Sequence, residues 1–147
     1  SDLKRSIESV ARFREMDIPH VIDLRITEVS WGINEGKVLD SEVMERFRIM
    51  IKEWKNGNHD YCIPGGESAT ALKKRIESFV HDIKRRKEKN ILINTHGRAL
   101  RMLVTRLLDE PVEAMEKYEH NNTGMYLFEY DGEQITLIKE NDTSHLN

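Results

Sequence analysis

Along this chain, stretches with apolar residues every three or four positions alternate with short continuous apolar runs. Leu3, Ile7, Val10 and Ala11 make the first helical stripe, which runs to Arg14, with Ser1 or Asp2 placed to cap it. After Pro19, His20–Leu24 predicts a short strand. The polar, glycine-bearing segment Glu28–Gly36 predicts a loop. A second helix opens at Asp40 or Ser41, carries Val43, Phe47, Ile51 and Trp54 on its stripe, and stops at Asn56-Gly57-Asn58. Cys62–Gly66 is a turn. Glu67 and Ser68 open a long helix whose buried face is Leu72, Ile76, Phe79, Val80 and Ile83. Ile91-Leu92-Ile93 is a run of the kind covered on both sheet faces. It breaks at Asn94-Thr95-His96-Gly97 into a helix from Ala99 to Leu108, and Pro111 opens a shorter one. Met125–Tyr130, the turn Asp131-Gly132 and Ile135–Ile138 predict a hairpin.

Strands alternating with helices predict one α/β domain over residues 1–147. The expected form is a three-layer α/β/α sandwich around a mostly parallel sheet, with one antiparallel strand near an edge. The chain starts on a helix cap with no lead-in, so a preceding segment is expected. In such folds chemistry collects at the carboxyl ends of the strands, and that rule selects the polar residues worth weighing.

Composition narrows the partners. Charged residues make up 33% and the net charge is −3 with the signs interleaved, which offers no basic field to nucleic acid. The run Lys84-Arg85-Arg86-Lys87 ends a helix, where cations suit the dipole. Cys62 is the only cysteine, so no internal disulfide framework exists and a reducing, cytoplasmic setting is expected. No apolar run approaches the roughly 20 residues of a membrane-spanning helix, so no membrane partner is expected.

Three residues stand out, one at a strand end, one on the opening helix and one at the start of the early loop. His96 sits where a buried strand turns into a helix, and backbone N–H groups at a helix start favour an anion. A satisfied structural histidine is the alternative. Arg5 lies off the apolar stripe of its helix, free to present its fork to phosphate oxygens or to solvent. Glu28 stands among apolar neighbours that would suit it to donate a proton, or is an ordinary loop carboxylate. Glu35 is a weaker candidate of the same kind, and capping is the simpler role for Glu67 and Ser68. Nucleotide-binding glycine loops, metal-ligand spacings and a nucleophile elbow are missing. A cofactor-free, metal-free mechanism on a phosphate ester is the chemistry left most open.

Taken in order, these segments resemble the histidine phosphatase superfamily, the phosphoglycerate mutase-like fold. Ser1–Ala11 is similar to the family's "SSxLxRAxxTA" helix. Glu28–Gly36 resembles "ExxxGxWEG", with Asn34 where Trp is usual. Pro64-Gly65-Gly66-Glu67-Ser68 matches "PGGES", Ile91–Gly97 the strand ending in "(S/T)HG", and Asn141–Leu146 the "NDxxHL" tail. The match covers essentially the whole chain.

The resemblance implies that Arg5 and His96 hold phosphoryl oxygens beside the Gly97 amide, and that Glu28 protonates the leaving alcohol. It also implies a nucleophilic histidine in an Arg-His-Gly motif on an earlier strand, and no such motif occurs here. The expected function is therefore a phosphoric monoester hydrolase working through phosphohistidine, here without its nucleophile segment. This chain alone would then be inactive unless a second copy or a separate N-terminal segment completes the sheet. A catalytically inactive phosphate-binding or interaction module is the alternative, and a mutase-type phosphotransferase a second. The short span between Gly36 and Pro64 leaves no room for a large lid and favours a phosphatase. The substrate would be a phosphorylated small molecule. Its leaving group would be read by Ser30–Gly36 and Asn56–Ile63, together with Arg98 and Arg101.

Overall fold

The computed structural model describes residues 1–146. Two side chains start the longer helices as their sequence positions predict. Asp40 accepts the Val43 amide at 2.8 Å and begins α3, Ser41–Lys55. Ser68 accepts the Ala71 amide at 3.2 Å and begins α4, Ala69–Ile83. The N-terminal stripe forms α1, Lys4–Ser9, and α2, Ala11–Glu15, separated at Val10. Helix α5 spans Gly97–Leu107, a 3-10 turn follows at Val112–Lys117, and β1, Met125–Tyr130, pairs antiparallel with β2, Ile135–Asp142.

Helices α4 and α5 pack on each other. Leu72 and Ile76 from α4 and Met102 and Leu103 from α5 share one core with Met50 and Trp54 of α3, Ile63 and Met115. The Trp54 indole N–H is satisfied by the Tyr61 carbonyl at 2.8 Å, so burying the ring leaves no donor orphaned. Two loops are joined backbone to backbone on the rim of this core. Gly32, at φ +55°, lies so close to the second loop that a Cβ there would sit 2.2 Å from the Pro64 oxygen. Ile33 donates to that oxygen at 3.0 Å, and Glu67 donates its amide to the Ser30 carbonyl at 2.9 Å.

Two expectations are corrected. Neither Ser1 nor Asp2 is the N-cap of α1, which is Leu3 without a side-chain cap bond. Asp2 instead accepts the Thr27 hydroxyl at 2.7 Å. The expected mostly parallel sheet is not formed either. Among the described residues the hairpin is the whole sheet, while His20–Asp23 and Asn90–Thr95 run outside any strand pairing. No backbone amide in these two segments donates to another backbone group of the described residues. A strand needs a neighbour about 4.8 Å away to form its ladder, and no described segment supplies one. Between them lies a groove of about 590 Å³, lined by Val21, Ile26, Phe79, Leu92 and Ile93 among others. Val21 and Leu92 are 63% and 64% exposed along it.

Among the described residues no helix is long and apolar enough to cross a membrane. Leu72 is fully buried where α4 meets the rest of the core. Replacing it, Leu72→Ala, is expected to lower unfolding stability by about 2–5 kcal/mol, measurable by urea denaturation.

Candidate functional site

Two of the predicted residues, His96 and Glu28, meet at the start of α5, and Arg5 acts on His96 through its charge. His96 is the N-cap, with extended backbone at φ −131°, and its side chain does not cap its own helix. Its Nε2 lies 2.8 Å from the Ser1 hydroxyl oxygen. Polar side chains hold the preceding segment in place. Thr95 donates its hydroxyl to the Ile26 carbonyl at 2.7 Å, and the Asn94 side-chain amide donates to the Ser6 carbonyl at 2.7 Å. Ser6, buried in α1, donates back to the Asn94 carbonyl at 3.5 Å. The helix that carries Arg5 is thereby tied to the segment that ends in His96.

Glu28 approaches from the other side. Its Oε1 accepts the Val29 amide at 2.9 Å and the Ala99 amide at 3.0 Å, and its Oε2 accepts the Arg98 amide at 3.3 Å. The carboxylate thus satisfies N–H groups that the first turn of a helix leaves unpaired. The Gly97 amide donates to no acceptor among the described residues. Glu28 and Arg5 both act on His96 through charge. Burial chiefly lowers the proton affinity of His96; Glu28 opposes that, and the exposed Arg5 adds to it.

Other candidates are placed elsewhere. Glu67 is not the cap of α4; it pairs through both oxygens with Arg75, at 2.7 and 2.8 Å. Glu35 accepts the Trp31 amide at 2.7 Å. Asn34, where the motif usually has Trp, is buried and accepts from Arg46 Nε at 2.8 Å. Arg98 and Arg101 both pair with Glu116, Arg101 at 3.1 Å, and Arg98 also stands over the Phe47 ring with its centroid 5.1 Å away. Neither guanidinium is free of an internal partner.

One residue at the site had no signal in the sequence. The His120 ring lies against Gly97, so near that a Cβ on Gly97 would be 2.5 Å from its Nε2. His120 comes from the polar stretch between the 3-10 turn and β1, where a lone histidine reads as loop. Its proton affinity is lowered, first by burial and next by the Arg101 cation.

Comparison with known proteins identifies the family. The family model described as "Histidine phosphatase superfamily (branch 1)" matches residues 1–143. A Hydrogenobacter thermophilus protein named "Putative phosphoserine phosphatase 2" is 30% identical over 125 residues, 85% of this chain. The chain spans 61% of that relative's length. "Probable phosphoglycerate mutase GpmB" of Salmonella typhi is 30% identical over 150 residues, with 98% of this chain and 68% of that protein covered. Among solved structures, Bacillus stearothermophilus YhfR superposes with a TM-score of 0.83 at 28% identity, over 100% of this chain and 74% of its own.

The charges around His96 give a testable order. Its NMR titration midpoint is expected below the ordinary 6.5, to rise in Arg5→Ala and to fall further in Glu28→Gln. Because the folded value is the lower one, the unfolded chain takes the proton first. His96 therefore erodes stability as pH falls from 6.5 towards the folded midpoint and costs none above it.

Proposed function

This chain belongs to the histidine phosphatase superfamily, and we propose that Arg5, His96 and the Gly97 amide hold the phosphoryl group of a phosphoric monoester. The observation that carries this reading is the start of α5: a helix N-terminus with its Gly97 amide unspent, flanked by His96 and within the field of Arg5. The parent reaction is hydrolysis in two steps. A histidine nitrogen outside this cluster takes the phosphoryl group as the ester P–O bond breaks. Glu28, entering the step in its protonated form, gives that proton to the departing alkoxide and is left as the carboxylate that the Val29, Arg98 and Ala99 amides stabilise. Water then takes the phosphoryl group from the histidine and releases inorganic phosphate. His96 follows Thr95 and is fastened by Ser1, which suits a residue that grips oxygens better than one that attacks. The substrates are phosphorylated small molecules, in keeping with relatives named for phosphoserine and phosphoglycerate. The setting is cytoplasmic, with Cys62 a free thiol.

A partner completes the protein in this reading. The groove between His20–Asp23 and Asn90–Thr95 has unspent backbone donors on both sides and apolar side chains along it. An extended strand laid there, from a second copy or a separate N-terminal segment, would pair with both and build the middle layer of an α/β/α sandwich. That strand is also the natural carrier of the nucleophile. Without it, the same residues favour the alternative of a site that binds phosphate and does not turn it over.

Binding is measured first, because it needs only the residues named. Calorimetry with inorganic phosphate is expected to show saturable binding that Arg5→Ala weakens roughly ten- to a hundred-fold, the worth of one charge-assisted hydrogen bond. Equal affinity in the variant would remove Arg5 from the site. Hydrolysis of p-nitrophenyl phosphate separates enzyme from binding module. Amide exchange at Val21–Asp23 and Ile91–Ile93 is expected to slow as protein concentration rises if a second copy fills the groove. It stays fast at every concentration if only a separate segment does.

A further inference from the structure

We propose that His120 reads the leaving group, forming the wall of the site that the alcohol part of the ester must pass. This rests on the phosphate site proposed above and adds a residue that sets which esters fit. The primary observation is contact: the imidazole lies directly on Gly97, whose amide is the unspent donor at the start of α5. A phosphoryl oxygen held by that amide brings the rest of the ester alongside the ring.

Three further features make the ring a ligand contact and not a packing residue. It is exposed, and neither ring nitrogen has a hydrogen-bond partner among the described residues. Its loop is fixed before any ligand arrives. Asn141 at the end of β2 accepts the Asn121 amide at 2.8 Å, Gly124 donates to the Asn121 carbonyl at 3.0 Å, and the Tyr126 hydroxyl donates to the Glu119 carbonyl. A preset ring needs little ordering on binding, so its hydrogen bond counts nearly in full. Lastly, partial burial of the ring and then the Arg101 cation lower the proton affinity of the imidazole, against Glu28. A neutral imidazole offers one donor and one acceptor and adds no charge to the phosphate grip. It suits an alcohol bearing a polar group next to the ester oxygen, such as a carboxylate or an amine. A plain hydrocarbon leaving group would leave both nitrogens unused.

The test is calorimetry on the intact chain with two ligands, inorganic phosphate and O-phospho-L-serine, each against wild type, His120→Ala, His120→Asn and Arg5→Ala. The quantity read is the ratio of the two dissociation constants. His120→Ala is expected to cut the preference for O-phospho-L-serine about five- to tenfold, the worth of one neutral hydrogen bond. His120→Asn, which keeps a donor and an acceptor, is expected to recover part of it. A ratio unchanged within twofold overturns the proposal, whether both affinities fall or neither does. Arg5→Ala must weaken both ligands together. If it does not, or if wild type binds no phosphate, the underlying site fails first and visibly, and this inference with it. Exposure of His120 and its lack of internal hydrogen bonds keep the variant folded, which a denaturation curve checks.

Discussion

The Glu28 carboxylate is the joint on which this molecule turns. A helix start leaves N–H groups with nowhere to donate, and leaving them dry would cost roughly 1–3 kcal/mol each. Glu28 takes the Arg98 and Ala99 amides at the start of α5 and its own neighbour Val29 besides. That bond set fixes the early loop against the late helix, seventy residues away in the chain. The loop in turn is pressed backbone to backbone on Pro64–Gly66 through Gly32, and the next residues begin α4 at Ser68. One carboxylate therefore ties together two loops and two helices, and the candidate site is the place where they meet.

The same joint shapes the chemistry. The second and third amides of α5 are held by this internal carboxylate, while the Gly97 amide donates to no acceptor among the described residues. Positive charge reaches His96 from Arg5, on another element. Arg98 and Arg101, nearer in sequence, are both engaged by Glu116. Their pairing instead gives the far wall of the site a fixed charge pattern that acts on His120.

The helices were legible because their apolar period is a property of one segment alone. The stripes on α3, α4 and α5 land in the core, with Phe47, Ile51 and Ile83 partly covered. The runs His20–Leu24 and Ile91–Ile93 have the composition of strands, but a strand is a relation between two segments. A sequence run cannot show whether a neighbour is there to complete the ladder. Arg5, Glu28 and His96 each stand in a motif with a fixed spacing, which is why the sequence singles them out. The nearness of α1 to the segment before His96 is not visible there, since it depends on Ser6–Asn94 and Thr95–Ile26 bonds between distant polar residues. His120 had neither motif nor periodicity; only its contact with Gly97 reveals it. The departure at Asn34 also becomes intelligible, because Arg46 across the loop supplies the donor that this buried amide oxygen requires.

Asn141 accepts the amide of Asn121 from twenty residues ahead, and Ser1 meets His96 from ninety-five behind. Contacts of such sequence separation form late, after the loops between them have closed. During synthesis Arg5 and Glu28 thus emerge long before the residues they stand beside in the folded chain. The surroundings of His96 and His120 exist only in chains folded as far as the end of β2, where Asn141 fastens the Asn121 backbone.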